Sequence, residues 1–454
     1  MAVQFVRGDI VNGNRGATLH SPTHSIAMIS VHSSPLGRLG TQDTGGMSVY
    51  IRELARQMGQ RGHRVDIYTR AGGGLACGDV LRISENVRLI HLGLGPGGAA
   101  PKTALYPHLH RFFQALERFR EQEGVRYDVI HSHYWLSGQA GLWARNAWGA
   151  LHVATFHTLA AVKKLVCGPA SESDVRMDVE RTLAAASDRI VVTSDRERDH
   201  LIRHYDADPA RLTVIPCGVD LDRFQPEDRT AARKRIGAGP AEKLLLYVGR
   251  LAPEKGLDRL IRAVARLGHI SKLRLIVVGG DGAHDPARRR MLDLSRSCGM
   301  GGRIVFKGRL EQSELPRFYS AADLLALPSA YESFGMVALE ALACGTPVAA
   351  TRVGAMEQLL RGPGNGRLAQ DLHPASLAAA IESLLRDRAA GLLDSAAIRA
   401  SAAGYGWSRV AGEVLKTYDE SRDSANNETP LASIGFHPQP GRPACCGCGA
   451  ATPA

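Results

Sequence analysis

The sequence predicts an α/β protein made of two doubly wound, Rossmann-like domains facing across a cleft. Three observations predict this. Short β-branched and apolar runs alternate with helical patterns from about Ala27 to Ala350, as in parallel sheets layered with helices. The chain has 454 residues, room for two cores at roughly 100–200 residues per domain. A Pro- and Asp-rich stretch without helical periodicity, HYDADPARLTVIPCGVDLDRFQP, separates two sets of strand runs and puts the boundary near residues 206–225.

In chain order, the first set of expected strands is AMISVH, VDIYT, VRLIHL, DVIHSH, LHVATF and RIVVTS. The second set is KLLLYVG, LRLIVVGG, RIVFKG, DLLALPS and PVAAT. The expected division is a flexible extension at 1–24, domains at 25–208 and 209–404, a last helix at 405–423 and a disordered tail at 424–454. Open α/β sheets bind ligands beyond the carboxyl ends of their strands, so two facing sheets can hold two substrates in one crevice.

Composition narrows the class. With 44% hydrophobic and 22% charged residues the chain is ordinary globular protein, which excludes disorder, collagen and a coiled coil as overall descriptions. Its net charge of +11 favours anionic ligands, but without a block of five basic residues it does not suggest nucleic acid as a partner. Apolar stretches break off short of the roughly 18 residues that span a bilayer. The start, MAVQFVRGDIVNGNRG, lacks the apolar core of a signal peptide, so a cytoplasmic protein is expected. Cys77, Cys167, Cys217, Cys298 and Cys344 are scattered singly, which suits a reducing compartment. Cys445, Cys446 and Cys448 form a CCxC cluster in a Pro/Gly/Ala-rich tail, open to metal or redox capture or to plain solvation.

Four stretches carry chemistry. After the first strand, Met47, Ile51, Leu54, Ala55 and Met58 mark one face of a helix that starts behind Gly45-Gly46 and stops at Gly62. A glycine pair there lets backbone N–H groups approach an anion, although it equally suits an ordinary tight turn. This turn lacks a G-x-G-x-x-G fingerprint, which opposes a nicotinamide dehydrogenase. Second, VGRLAPEKG puts Arg250 and Lys255 in the loop after a strand, where a fork of donors and a point charge can neutralise a diphosphate. Third, in SAYESFGMVALEALACG, Glu332 precedes a helix opening near Gly335 and Glu340 lies inside it. The helix start suits a phosphate and the two carboxylates suit sugar hydroxyls, a combination that points to a nucleotide sugar. Fourth, His131, His133 and His157 stand at strand ends, and Lys102, Tyr134, Thr158 and Arg176 supply the donors a phosphate monoester needs.

GRLAPEKG followed by YESFGMVALEALACGTPV resembles the retaining glycosyltransferases of group 1, family 4, which have the GT-B fold; the resemblance covers about residues 25–420. SPLGRLGTQDTGGMSVYI, HSHYWLSGQAG and HTLAAVKK look most like the mycothiol-pathway branch that joins N-acetylglucosamine to inositol phosphate, with sucrose-phosphate synthases close behind. The resemblance implies an N-terminal acceptor domain, a C-terminal nucleotide-sugar domain and a last helix crossing back onto the first. It makes Arg250 and Lys255 the clamp on the donor diphosphate, Glu332 the partner of the sugar hydroxyls and Glu340 that of the ribose. It also makes Gly46, Phe334 and Gly335 phosphate contacts, Arg309 a main-chain contact to the base and His157 the histidine touching the donor sugar. Lys102, Tyr134, Thr158 and Arg176 match an acceptor-phosphate pocket, with His32, Asp43 and Ser48 lining the acceptor side; that branch has Asn where this chain has Ser48.

The implied chemistry transfers a hexosyl group, N-acetylglucosamine or glucose, from a UDP-sugar to a phosphorylated polyol or sugar. No catalytic metal or other cofactor is required and no metal-binding Asp-x-Asp motif is expected; a structural Mg2+ near Tyr319, Ser320, Ala322 and Thr346 is the one ion the resemblance allows. A homodimer is compatible with it. Alternatives are transfer to a sugar phosphate in the sucrose-phosphate synthase manner and polysaccharide or glycolipid synthesis. Two further classes stay open: a nucleotide-sugar 2-epimerase, which needs no acceptor, and a non-catalytic carbohydrate-binding protein, which the presence of Arg250, Lys255, Glu332 and His157 opposes.

Overall fold

A computed structural model describes residues 23–37, 39–40, 44–72, 76–94, 102–282, 284–362 and 364–427. The strands of its first sheet are β1 (Ser25–Ile29), β2 (Arg64–Arg70), β3 (Val80–Ser84), β4 (Val87–Leu92), β5 (Val129–His133), β6 (Leu151–Thr155), β7 (Arg189–Val192) and β8 (Leu212–Val214). They lie in the order β3-β4-β2-β1-β5-β6-β7-β8, parallel throughout except for the antiparallel pair β3–β4. The central strand has no alternation: Ile26, Ala27, Met28 and Ile29 are all fully buried, as in a parallel sheet covered on both faces.

The second sheet contains β9 (Lys243–Val248), β10 (Leu273–Val278), β11 (Ile304–Gly308), β12 (Leu324–Leu327), β13 (Val348–Ala350) and β14 (Gly366–Leu368). Its order is β11-β10-β9-β12-β13-β14, with every pair parallel. All expected strand runs are strands, and β3, β8 and β14 are additions. β3 is largely exposed and the other two have three residues each, so none carries a run of buried β-formers. Because β8 closes the edge of the first sheet, the boundary expected at residue 208 moves beyond Val214.

The helices that matter for the site are α1 (Gly46–Gln60), α2 (Trp135–Trp148), α3 (Ala160–Cys167), α4 (Asp174–Ala186), α5 (Met336–Ala343) and α6 (Trp407–Asn427). α6 runs past the expected end at 423 and packs along α1. There Trp407 meets Tyr50 edge-on with ring centroids 5.6 Å apart, and the Tyr418 hydroxyl lies 2.7 Å from His131 Nδ1. Residue 24, expected to belong to a flexible extension, is held in the fold. His24 is buried, with its Nε2 2.8 Å from Asp419 on α6 and its backbone N–H donating to His63 Nδ1 at 3.0 Å. Residues 1–22, Asp43 and 428–454 with Cys445, Cys446 and Cys448 lie outside the described residues. Among the described residues, no helix is long and apolar enough to cross a membrane.

Candidate active site

A cavity of about 410 Å³ opens between the carboxyl ends of the two sheets. On the side of the second sheet, β9 ends in Gly249-Arg250, a turn held by the Tyr247 hydroxyl donating to the Arg250 carbonyl at 2.7 Å. Gly279, after β10, has φ +132°, and a Cβ there would lie 1.9 Å from the Gly249 carbonyl oxygen, so only glycine permits this approach. The Arg250 guanidinium lies 3.3 Å from Glu254. Lys255 Nζ donates to Glu332 Oε1 at 2.7 Å, and Ser329 Oγ donates to the same oxygen at 2.8 Å.

α5 opens beside these cations. Its N-cap is Gly335 at φ +101°, without a side-chain cap, which leaves the positive end of the helix for an anion. Across the cavity, a Cβ on Gly46 would stand 3.4 Å from Met336 Sδ, so the starts of α1 and α5 converge. Inside α5, Glu340 is buried and accepts from the Tyr319 hydroxyl at 2.7 Å. Burial pushes its carboxyl up to about 7, against the opposing effects of Tyr319, Arg223 and Gln312. Arg309 lines the cavity after β11 and pairs with Asp281 at 2.9 Å.

On the side of the first sheet, His157 follows β6 with φ +61°, and its Nε2 is 3.0 Å from His133 Nδ1. Burial pushes the imidazole down to about 3, so it is neutral at ordinary pH. His32 is also held well below the usual range, by burial first and then by Lys102 and Arg176. Tyr134, at φ +76°, packs its ring 4.4 Å from His32 and carries Arg176 at 4.6 Å and Lys102 Nζ at 5.3 Å from its centroid. His32, Lys102, Tyr134, His157 and Thr158 line the cavity.

Two expected acceptor residues lie elsewhere. Arg176 has only 1% of its side chain exposed, with Nε on Glu180 at 2.6 Å, NH1 on Glu172 at 2.9 Å and NH2 on the Thr158 carbonyl at 2.7 Å. The two carboxylates, four residues away on either side in sequence, hold the guanidinium behind the cavity wall. Ser48 is fully buried and bonds Ser33 Oγ at 2.7 Å.

Residues 44–223 match the family described as Glycosyltransferase Family 4, and residues 228–403 match Glycosyl transferases group 1. Over 407 residues the chain is 39% identical to D-inositol 3-phosphate glycosyltransferase of Rhodococcus opacus, covering 88% of this chain and 91% of that one. The chain belongs to this glycosyltransferase family. Over 402 residues the glycosyltransferase is also 40% identical to D-inositol 3-phosphate glycosyltransferase of Geodermatophilus obscurus, covering 87% of this chain and 88% of that one. Its structure is similar to sucrose-phosphate synthase of Thermosynechococcus elongatus, with TM-score 0.81, 32% identity and coverage of 88% and 100%. Anabaena Alr3699/HepE in complex with UDP-glucose shares the GT-B fold at TM-score 0.68 and 19% identity, with coverage of 87% and 100%.

The two halves of the glycosyltransferase touch around the cavity. Ser333 Oγ donates to the His157 carbonyl, Leu159 N–H donates to the Tyr331 hydroxyl at 2.8 Å, and Arg52 reaches Gln312 at 2.8 Å. One cation of the cavity wall escaped sequence reasoning: Lys163 on α3, which pairs with Glu172. Its signal was the Lys163-Lys164 pair. Which lysine faces the cavity depends on the phase of a short helix, and Lys164 turns instead to Asp174 at 2.6 Å.

Three oxygens near the suggested Mg2+ position form hydrogen bonds within the protein. Thr346 Oγ1 donates to the Tyr319 carbonyl at 2.7 Å, and Ser320 Oγ accepts from Glu227 N–H at 2.9 Å. Contrary to expectation, Asp-x-Asp pairs do occur, at Asp206/Asp208 and Asp220/Asp222. One carboxylate of each pair serves a turn: Asp208 accepts from Ala210 N–H at 2.9 Å, and Asp220 accepts from Arg223 N–H at 3.0 Å.

Proposed function

We propose that this glycosyltransferase moves a hexosyl group, N-acetylglucosamine or glucose, from a UDP-linked donor to a phosphorylated polyol or sugar such as an inositol phosphate, with retention at the anomeric carbon. The observation that carries this reading is that one cavity is lined by two separate sets of cations. Arg250 and Lys255 stand with the start of α5, and Lys102 and Lys163 stand with Tyr134 and Thr158. A nucleoside diphosphate suits the first set and a phosphate monoester the second. The relatives named D-inositol 3-phosphate glycosyltransferase and the sucrose-phosphate synthase support a phosphorylated acceptor. The HepE complex with UDP-glucose supports the donor class.

Binding of the donor would bring its diphosphate to Arg250 and Lys255 and offer its sugar hydroxyls to Glu332, while Glu340 would accept from the ribose. The acceptor hydroxyl approaches the face from which the nucleotide departs, and the leaving phosphate takes its proton. Arg250, Lys255 and the α5 dipole stabilise negative charge that grows in that transition state, so they act on turnover as well as on affinity. His157 contacts the transferred sugar as a neutral imidazole. The two halves already touch through Ser333 and His157 and through Tyr331 and Leu159, and their closing on the donor would exclude water and limit its hydrolysis. A cytosolic enzyme is supported by the free thiols of Cys77, Cys167, Cys217, Cys298 and Cys344.

The test is incubation with a panel of nucleotide sugars and of acceptors in phosphorylated and dephosphorylated forms, read by mass spectrometry. A phosphorylated glycoside should form only from the phosphorylated acceptors. Equal use of both forms would remove the phosphate reading, and product formation from a sugar phosphate rather than an inositol phosphate would favour chemistry like that of sucrose-phosphate synthase.

A further inference from the structure

The geometry points to His133 as a positioning residue that selects the tautomer of His157, so that His157 presents an Nδ1–H donor to the transferred sugar. This rests on the reading of His157 as the residue touching the donor sugar.

His133 ends β5 with its side chain fully enclosed, and its Nδ1 lies 3.0 Å from His157 Nε2. A hydrogen bond between two neutral imidazoles needs a proton on one of these nitrogens and a lone pair on the other. The other nitrogen of His133, Nε2, is buried and has no hydrogen-bond partner. An orphaned buried N–H is rarer than an unfilled acceptor, so the proton of His133 belongs on Nδ1, from which it is donated to His157 Nε2. The single proton of neutral His157 must then sit on Nδ1, its remaining ring nitrogen. Both rings stay neutral, because burial holds them far below the usual histidine range.

The surrounding packing makes this orientation rigid. The Tyr50 ring stands edge-on to both imidazoles, at 5.9 Å from His133 and 5.2 Å from His157. Behind His133, the His131 ring lies 4.3 Å away. It is held at both nitrogens, by Tyr418 of α6 at 2.7 Å and by Thr155 at 2.9 Å. A chain of side chains thus runs from α6 to the cavity, and His133 is its last link before His157, which lines the cavity.

Two measurements test this. In the ligand-free protein labelled with 15N-histidine, long-range 15N–1H spectra should show both His133 and His157 protonated at Nδ1; a proton on Nε2 of His157 overturns the inference. The second measurement compares His133→Asn, whose side-chain amide can donate from the place of Nδ1, with His133→Phe, which keeps a ring but no donor. Loss of one oriented hydrogen bond should lower kcat of the Phe variant about 10-fold with little change in the donor KM, and the Asn variant should recover most of it. Equal activity of Phe variant and wild type, or equal losses in both variants, overturns the role. Wild-type protein that transfers nothing from any nucleotide sugar would refute the transferase reading instead, and the tautomer measurement would still decide this inference.

Discussion

Glu340 makes the stability of the ligand-free enzyme depend on pH in a direction that can be worked out from its surroundings. The carboxyl sits at 6% exposure inside α5, and burial moves it from the ordinary 4.5 to about 7. The folded chain therefore holds this proton up to about pH 7, whereas the unfolded chain releases it near 4.5. The contribution is complete below about 4.5, is lost as pH rises through about 7 and is constant above that. At about 1.4 kcal/mol per pH unit between the two values, the loss is about 3 kcal/mol. Glu340→Gln cannot ionise, and its amide oxygen can still accept from Tyr319. Urea unfolding of both proteins at pH 5, 6, 7 and 8, followed by tryptophan fluorescence, should show the variant gaining about 2–3 kcal/mol on the wild type across that range, part of the loss having occurred by pH 5. Parallel pH profiles would refute the reasoning. The same substitution should weaken UDP, because a ribose that hydrogen-bonds the carboxylate favours its ionised form. Calorimetry in buffers of different ionisation enthalpy should find proton release on UDP binding near pH 7 in the wild type and none from this site in the variant.

Arg250→Ala and Lys255→Ala should each lower turnover by about 10²–10³, measured at saturating donor; wild-type turnover in both would contradict a charge-stabilising role. Arg176→Ala should act on the fold, because it strands Glu172 and Glu180: removing one partner of a buried ion pair costs about 3–5 kcal/mol, read as a lower urea midpoint, and an unchanged midpoint would show that the guanidinium is not committed to these carboxylates. Lys102→Ala and Lys163→Ala should lower kcat/KM for the phosphorylated acceptor by roughly tenfold or more while leaving the dephosphorylated analogue less affected; equal losses would remove both lysines from phosphate binding. Gly335→Ala should lose about 1–2 kcal/mol of stability from the left-handed backbone alone and bind UDP more weakly, since its Cβ would lie 2.6 Å from Met356 Cε and push the start of α5 aside; wild-type stability and UDP affinity would count against that site.

Much of the cavity wall on the proposed donor side was legible because its information is local. Arg250 and Lys255 fall within one strand-to-helix loop, and Glu332, Gly335 and Glu340 within one loop and the helix it opens. Strand ends and helix starts are set by short-range propensity, so these residues meet wherever the sheet places them. The acceptor side was only partly legible. Lys102, Tyr134 and Thr158 do reach the cavity, yet Arg176, an equally plausible cation by residue type, is withdrawn behind the wall by Glu172 and Glu180.

The sequence alone determined two α/β layers, the eleven strand runs with long apolar stretches and the loops proposed to carry the donor chemistry, because each is written in residues close together along the chain. Only the tertiary structure decided which of Lys163, Lys164 and Arg176 lines the cavity, since that depends on carboxylates brought in by neighbouring segments and on the phase of an eight-residue helix. It alone decided the chain of contacts from Tyr418 to His131, His133 and His157, whose members come from α6, β5 and the turn after β6. Residues 287 apart in sequence share that hydrogen bond between Tyr418 and His131. No local pattern encodes such a pair: it forms because burying the apolar face of α6 against the first sheet brings a hydroxyl to an imidazole that water no longer reaches.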